Sequence, residues 1–385
     1  MSVGIYSNWK IKLFRNGFFI NRIHAKYLHE FVNAYGSVTL LTNTIDDNVT
    51  NEYVYFENKN VNLITLPRFS KYHQSYRHFF LIKDGIKKLS HLSEQIYVRT
   101  PEPFSWLFLI YAKNKLVNYH FTSNPLDVIR KSNNSTIKKI IRLMFFFPEY
   151  YLICISAFFN SASCNGPSVL KNIPFFLKGK IKVLIESTIS LDEINNKEYK
   201  ASHINEALKL ICVSRLQPAK GLEELIDSLI DYKVYNPSRQ FHLTIVGDGP
   251  LYHKLHDRVF SSVCKNCISL IGSVENGEPL NMLYRDNDIL INPSLSETGP
   301  RVVIEGMSEG LVCISTDVGY VRYLLKESPE LLSYIIEEDF SAELHRMLNS
   351  FYDKPLQYMA LSKKSFDISK KYSLTQFVNE VFSKK

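Results

Sequence analysis

Short apolar runs alternate with longer amphipathic stretches from one end of the chain to the other. Residues 38–42, 95–99, 209–214, 241–246 and 312–315 are dominated by apolar side chains. A strand buried on both faces reads this way, because neither side of its sheet meets water. Between such runs apolar residues recur at helical spacing: Leu222, Leu225, Ile226, Leu229 and Ile230 share one face. The alternation predicts an α/β fold with parallel sheets and crossover helices. A chain of 385 residues has room for two domains of ordinary size. It turns polar and irregular over 186–206, which places the boundary there. The expected division is a first α/β domain over 1–188 and a second over 189–371. A helix-like segment over 372–385 is expected to pack back on the first domain.

One stretch invites a membrane reading. Residues 140–159 approach the ~20 that a spanning helix needs, but Arg142, Pro148 and Glu149 interrupt them. The preferred parse is an amphipathic helix to Phe147, a break at Pro148 and a buried strand over 151–155. In that helix Ile137, Ile140, Ile141 and Met144 share a face, accompanied by Lys138, Lys139 and Arg142. Such a helix either packs on a core or lies on an anionic bilayer. Charge adds a second asymmetry. Residues 1–190 carry 24 Lys+Arg against 11 Asp+Glu, and residues 191–385 carry 22 against 27. The basic first half suits anionic lipid, a phosphorylated acceptor or nucleic acid, although solvated lysines are the commoner reason for such an excess. No nucleic-acid module is recognisable, so nucleic acid is not an expected partner. The six cysteines are scattered, and Cys264 and Cys267 form a lone CxxC without a second pair. With no signal-peptide pattern at the start, a reducing cytoplasm is the expected location, including the inner face of the cytoplasmic membrane.

Four segments of the second half carry the chemistry. In Leu210 to Gly221 a strand ends at Arg215 and a helix follows Lys220, so both cations lie in a strand-to-helix turn. Ligands of open α/β sheets bind at that edge, and two cations there suit a diphosphate. Gly247-Asp248-Gly249-Pro250 follows the next strand; Tyr252 stands where a dinucleotide fingerprint needs its third glycine. A third strand ends in Gly272-Ser273-Val274, where backbone could approach a flat base. Finally, 289–291 reads as a strand, followed by Glu297-Thr298-Gly299-Pro300-Arg301-Val302 and a helix that carries Glu305. A helix start presents unpaired N–H groups and the positive dipole end to an anion. Carboxylates on either side of it can bind hydroxyls flanking a diphosphate, which describes a nucleotide sugar.

In their order and spacing these segments resemble the C-terminal half of glycosyltransferase family 4, the retaining enzymes of the GT-B fold, over about 208–325. The resemblance implies two Rossmann-like domains with parallel sheets facing across a cleft. It implies Arg215 and Lys220 on the leaving diphosphate, Glu297 on the donor sugar and Glu305 on the ribose. Backbone near Arg301 and Val302 would meet the phosphates, with Thr298, Gly299, Pro300, Gly272 and Val274 lining the donor site. No metal and no further cofactor are implied; the nucleotide-diphosphate sugar is a co-substrate. The first half resembles the family less. Gly17 is the one glycine where a pair usually follows the first strand, and His120 best fits the family's histidine near the acceptor hydroxyl. Arg99 and Glu102 are weaker acceptor-side candidates. Departures include Ser214 for a glycine, Thr298 for a glycine, and Tyr320-Val321-Arg322-Tyr323 where a carboxylate is usual. The implied function is transfer to a saccharide acceptor, lipid-pyrophosphate-linked, in bacterial surface polysaccharide synthesis. A non-catalytic nucleotide-sugar-binding or assembly subunit on the same fold is the alternative.

Overall fold

The computed structural model describes the chain except residues 1, 47–49, 51, 70, 124, 127–128, 130–134, 197–206 and 384–385. It divides into two compact units, Met1–Thr188 with Leu374–Lys385, and Ile189–Ser373.

The first unit is built on a seven-stranded parallel sheet. Its strands are β1 (Ser2–Tyr6), β4 (Ser37–Asn43), β6 (Val61–Leu66), β7 (Gln95–Thr100), β8 (Leu116–Phe121), β9 (Ser161–Asn165) and β10 (Ile181–Leu184). They lie in the order β10-β9-β8-β7-β1-β4-β6. Side chains alternate between the sheet's faces. Tyr6, Leu41, Ile96, Val98 and Tyr119 join one core with the helices Phe79–Leu92 and Thr136–Phe159. Val3, Ile5, Leu40 and Tyr97 join another with the helix Arg22–Tyr35. The terminal helix Leu374–Glu380 belongs to that second core through Leu374, Phe377 and Val378, and Tyr35 donates its hydroxyl hydrogen bond to the Val378 carbonyl at 2.9 Å. A small antiparallel sheet of β2 (Ile11–Phe14), β3 (Gly17–Asn21) and β5 (Tyr53–Phe56) lies beside the main one in sequence.

The structure differs from the sequence parse at 147–155. The helix Thr136–Phe159 runs through Pro148, and the strand follows it as β9. Proline in a helix costs about 3 kcal/mol. Glu149, Tyr150, Ile153, Cys154 and Ala157 fall on one helical face and are buried. Burying a large apolar side chain such as Ile153 stabilises by roughly 1.5–3 kcal/mol, so two or more on this face, Phe146 and Ile153 among them, outweigh the proline. A short run of apolar residues carries no sign of which period will win, and the long-range packing decides it here.

The second unit holds a six-stranded, wholly parallel sheet. Its strands are β11 (Ala207–Val213), β12 (Gln240–Val246), β13 (Ile268–Leu270), β14 (Ile289–Asn292), β15 (Val312–Thr316) and β16 (Ile335–Ile336). Their order is β13-β12-β11-β14-β15-β16. The helix Leu222–Tyr235 buries Leu222, Leu225, Ile226 and Leu229. Both units are thus Rossmann-like α/β halves.

Candidate functional site

In the second unit every loop that leaves a strand's carboxyl end emerges on the same edge of the sheet. From β11 the chain winds outward through β12 and β13, then returns to β14 on the other side of β11. The loops after β11 and β14 therefore depart in opposite directions, and a crevice forms at such a switch point. The turn Pro218–Lys220 follows β11, and 293–300 follows β14. The Leu295 N–H donates to the Ala219 carbonyl at 3.0 Å and ties them together. Gly221 makes the approach feasible: its φ is +66°, and a β-carbon there would lie 2.0 Å from the Pro293 carbonyl oxygen.

Across this junction the Lys220 ammonium pairs with the Glu297 carboxylate, both side chains largely withdrawn from water. The Ser294 hydroxyl donates to the same carboxylate oxygen at 3.4 Å. Thr316 Oγ1 donates to the Ser294 carbonyl at 2.6 Å and steadies the loop from β15. The helix Arg301–Ser308 begins four residues after Glu297, with Pro300 at its cap and no side-chain cap. Its opening N–H groups, at Arg301 and Val302, have no acceptor among the described residues. Such a start favours an oxyanion. Glu305 is the fifth residue of that helix and 7% exposed. The Tyr284 hydroxyl donates to Glu305 Oε2 at 3.1 Å. Burial, and then the Glu305 carboxylate, hold the Tyr284 phenol well above its ordinary pKa, so it remains a donor. Tyr284 lies outside the residues singled out from the sequence; a tyrosine on an amphipathic helix carries no local signal of a partner 21 residues away.

The remaining predicted donor residues fall on the same edge. Arg215 is exposed just past β11, with no side-chain partner among the described residues. Gly272 follows β13 with open space beside its Cα, and its carbonyl accepts from the Gly247 N–H at 2.8 Å. Val274 is half-buried in the same loop. Thr298, Gly299 and Pro300 are backed by the turn after β15. A β-carbon at Gly299 would lie 2.2 Å from the buried Tyr320 ring, and one at Gly319 2.7 Å from the Thr298 carbonyl. Tyr320 therefore supports the loop from beneath. Arg322 pairs with Asp317 at 2.7 Å and with Glu337, so its charge is met on the surface. An Asp-x-Asp tripeptide, Asp286-Asn287-Asp288, stands at the opposite, amino end of β14, where Asp288 Oδ2 accepts from the Lys209 N–H at 3.0 Å.

In the first unit Gly17 and His120 are both held by packing. Gly17 opens β3 in the hairpin with β2 rather than a loop beyond β1. A β-carbon there would lie 2.5 Å from the Phe56 carbonyl oxygen, so sheet packing accounts for the glycine. His120 on β8 is fully buried. Its ring meets Phe377 edge-on at 5.0 Å, Nδ1 bonds Ser163 Oγ at 2.9 Å, and Nε2 lies 3.6 Å from Glu186. Burial pulls its pKa down to about 4 despite Glu186, so the imidazole is neutral. Arg99 grips Glu186 with two bonds of 3.1 and 3.0 Å. Glu102 is buried and accepts from the Asn8 N–H at 2.6 Å.

Burial pushes the Glu102 carboxyl from 4.5 up to about 8. Over that window the folded state holds a proton that the unfolded chain has released, so stability falls as pH rises through it. His120 acts with the opposite sign: its depressed pKa costs stability as pH falls from 6.5 toward about 4. Glu102→Gln, which stays neutral, is expected to raise the melting temperature, with a gain that grows from mildly acidic to mildly alkaline buffer. Melting curves across that range check it; a gain independent of pH contradicts the shift.

Residues 207–350 match the family model described as Glycosyl transferases group 1. The chain is 26% identical over 207 residues, 54% of its length, to the phosphatidylinositol N-acetylglucosaminyltransferase gpi3 subunit of Schizosaccharomyces pombe. It is 25% identical over 218 residues, 57% of its length, to the UDP-N-acetylglucosamine--peptide N-acetylglucosaminyltransferase GtfA subunit of Streptococcus agalactiae. These matches span 42% and 40% of the two relatives' own lengths. Among solved structures, Anabaena HepE in complex with UDP superimposes with a TM-score of 0.66 at 14% identity, covering 98% of this chain and 97% of that one. WaaG, a glycosyltransferase involved in lipopolysaccharide biosynthesis, does so with a TM-score of 0.60 at 14% identity, covering 99% and 98%. The fold is that of the GT-B glycosyltransferases.

Proposed function

We propose that this chain, whose second unit carries a group 1 glycosyl transferase domain, moves a sugar from a nucleotide-diphosphate donor to a saccharide acceptor with retention of configuration. The observation that carries the reading is the Lys220–Glu297 pair at the switch point, beside an uncapped helix start that also bears Glu305. Donor phosphates would lie against Arg215, Lys220 and the N–H groups of Arg301 and Val302. Glu297 would take hydroxyls of the transferred sugar, and Glu305, oriented by Tyr284, those of the ribose. Gly272 and Val274 would border the base. The C1–O bond to the diphosphate breaks as the acceptor oxygen bonds C1 from the same face, and the acceptor proton passes to the departing phosphate oxygen. The cations stabilise the charge that builds on that oxygen, with no metal and no side-chain base required. The acceptor is a lipid-pyrophosphate-linked saccharide at the inner face of the cytoplasmic membrane, in surface-polysaccharide synthesis. WaaG, a glycosyltransferase involved in lipopolysaccharide biosynthesis, supports that class of product.

A thermal-shift panel of nucleotide sugars tests the donor half, since a selective ligand stabilises the folded state. HepE, solved with UDP and with UDP-glucose, makes uridine nucleotides the first to try. One nucleotide class is expected to raise the melting temperature. Loss of a charge-assisted hydrogen bond of about 1.5–3 kcal/mol in Glu305→Ala should weaken that donor roughly 10- to 100-fold. Unchanged affinity removes Glu305 from the site. Transfer abolished by EDTA overturns the metal-free reading.

A further inference from the structure

The helix Thr136–Phe159 is long and apolar enough to cross a membrane. Its packing forbids that role here. From Phe146 onward one face is sealed in the first unit's core through Tyr150, Ile153, Cys154 and Ala157. Withdrawing it would strip that core. The opposite face is bare. Ile137 is 71% exposed, Met144 69%, Phe145 65% and Phe159 68%. At helical spacing Ile137, Ile140, Ile141, Met144, Tyr151 and Phe159 form one stripe along the side away from the core. None of the first ten residues, 136–145, is fully buried. A helix end without tertiary burial is marginal in water, so a stretch this apolar calls for a cover.

What covers it is indicated by neighbouring aromatics and by charge. Tyr151 stacks with Phe147 and meets Phe176, whose neighbour Phe175 is 87% exposed. Residues 135–180 hold six cations, Lys138, Lys139, Arg142, Lys171, Lys178 and Lys180, and one acid, Glu149; the next cation, Lys182, is met by Glu380 at 2.8 Å. Glu149 is buried and tied to the Phe104 N–H and, at 2.9 Å, to the Tyr76 hydroxyl. The segment that bears the apolar stripe therefore carries positive charge and no exposed negative charge. A protein partner would need only the apolar half of this pattern. An anionic bilayer matches both halves, with apolar side chains below the headgroups and cations among the phosphates.

We propose that the exposed face of Thr136–Phe159, with Phe175 beside it, docks the first unit flat on an anionic phospholipid bilayer. The inference is independent of the sugar-transfer reading, because docking is measured without donor or acceptor. Full-length protein is floated with phosphatidylcholine vesicles and with vesicles that also contain phosphatidylglycerol. Wild type is expected to co-float with the anionic vesicles and to come off as salt rises. Lys138→Ala/Lys139→Ala/Arg142→Ala should partition on the order of 100-fold less at low salt. Met144→Glu/Phe145→Glu should lose at least about tenfold, since two exposed apolar anchors become charged. The substituted side chains are exposed except Lys139, which is half-buried, and unchanged melting temperatures show that each variant is folded. Wild type that stays with neither vesicle overturns the proposal, as does a folded glutamate variant that floats like wild type. A solution dimer that Met144→Glu/Phe145→Glu converts to monomer, without vesicle binding, reassigns the face to a second copy.

Discussion

Replacing Lys220 with alanine should lower sugar transfer about 100- to 1000-fold, the range seen when one preorganised charge or donor is lost from a developing oxyanion. Lys220 is largely withdrawn from water and already paired with Glu297, so its ammonium is held in place before any donor arrives. Arg215 is exposed and unpaired among the described residues, and its loss should cost less. In steady-state kinetics Lys220→Ala is expected to act mainly on kcat, because leaving-group charge is greatest in the transition state. Lys220→Arg should recover little: the guanidinium is wider than the ammonium and the turn Pro218–Lys220 is locked against 293–295. Glu297→Ala separates the roles. If Glu297 only oriented the lysine, its loss would mimic Lys220→Ala on every donor. If it binds the transferred sugar, the loss should differ between donors whose sugars differ. Full activity of both alanine variants ends the site assignment.

The second large effect concerns architecture. Gly221→Ala should destabilise by about 3 kcal/mol, combining roughly 1–2 kcal/mol for a left-handed conformation with the cost of overpacking. The β-carbon would meet the Pro293 carbonyl oxygen at 2.0 Å, and backbone cannot move aside without parting the two loops. At 2–4 °C per kcal/mol, the melting temperature should fall by about 6–12 °C. Donor affinity should fall with it, because the same displacement draws Lys220 from Glu297. Gly179→Ala is the control: a β-carbon there meets nothing within 4 Å, and the midpoint should hardly move. A Gly221→Ala protein as stable as wild type would mean that the loop junction is loose.

Most of the second unit was legible locally. The apolar runs at 209–214, 241–246 and 312–315 became β11, β12 and β15 because strands buried on both faces leave a nearly unbroken signal. The first unit was harder. Residues 151–155 read as a strand although they continue a helix, since five apolar positions fit either period until the core chooses a face. His120 and Gly17 resemble functional residues only in their order along the chain. Order does not say whether a strand-end side chain faces a crevice or a helix, and Phe377, some 257 positions later, closes over His120. Tyr284 is illegible for the same reason: its value lies in a contact with Glu305 that spacing alone does not announce.

By itself the sequence determined the α/β class, the loops that carry Arg215, Lys220, Glu297 and Glu305, and the apolar and basic character of 137–147. These are properties of neighbours in the chain, written in period, turn residues and charge. Only the tertiary structure decided that Lys220 touches Glu297, that Tyr284 orients Glu305, and that one side of Thr136–Phe159 is left bare. Each of these depends on strand order or on which face a distant core covers. β14 lies against β11 because the chain crosses back at the switch point, and that crossing brings together two charges 77 positions apart.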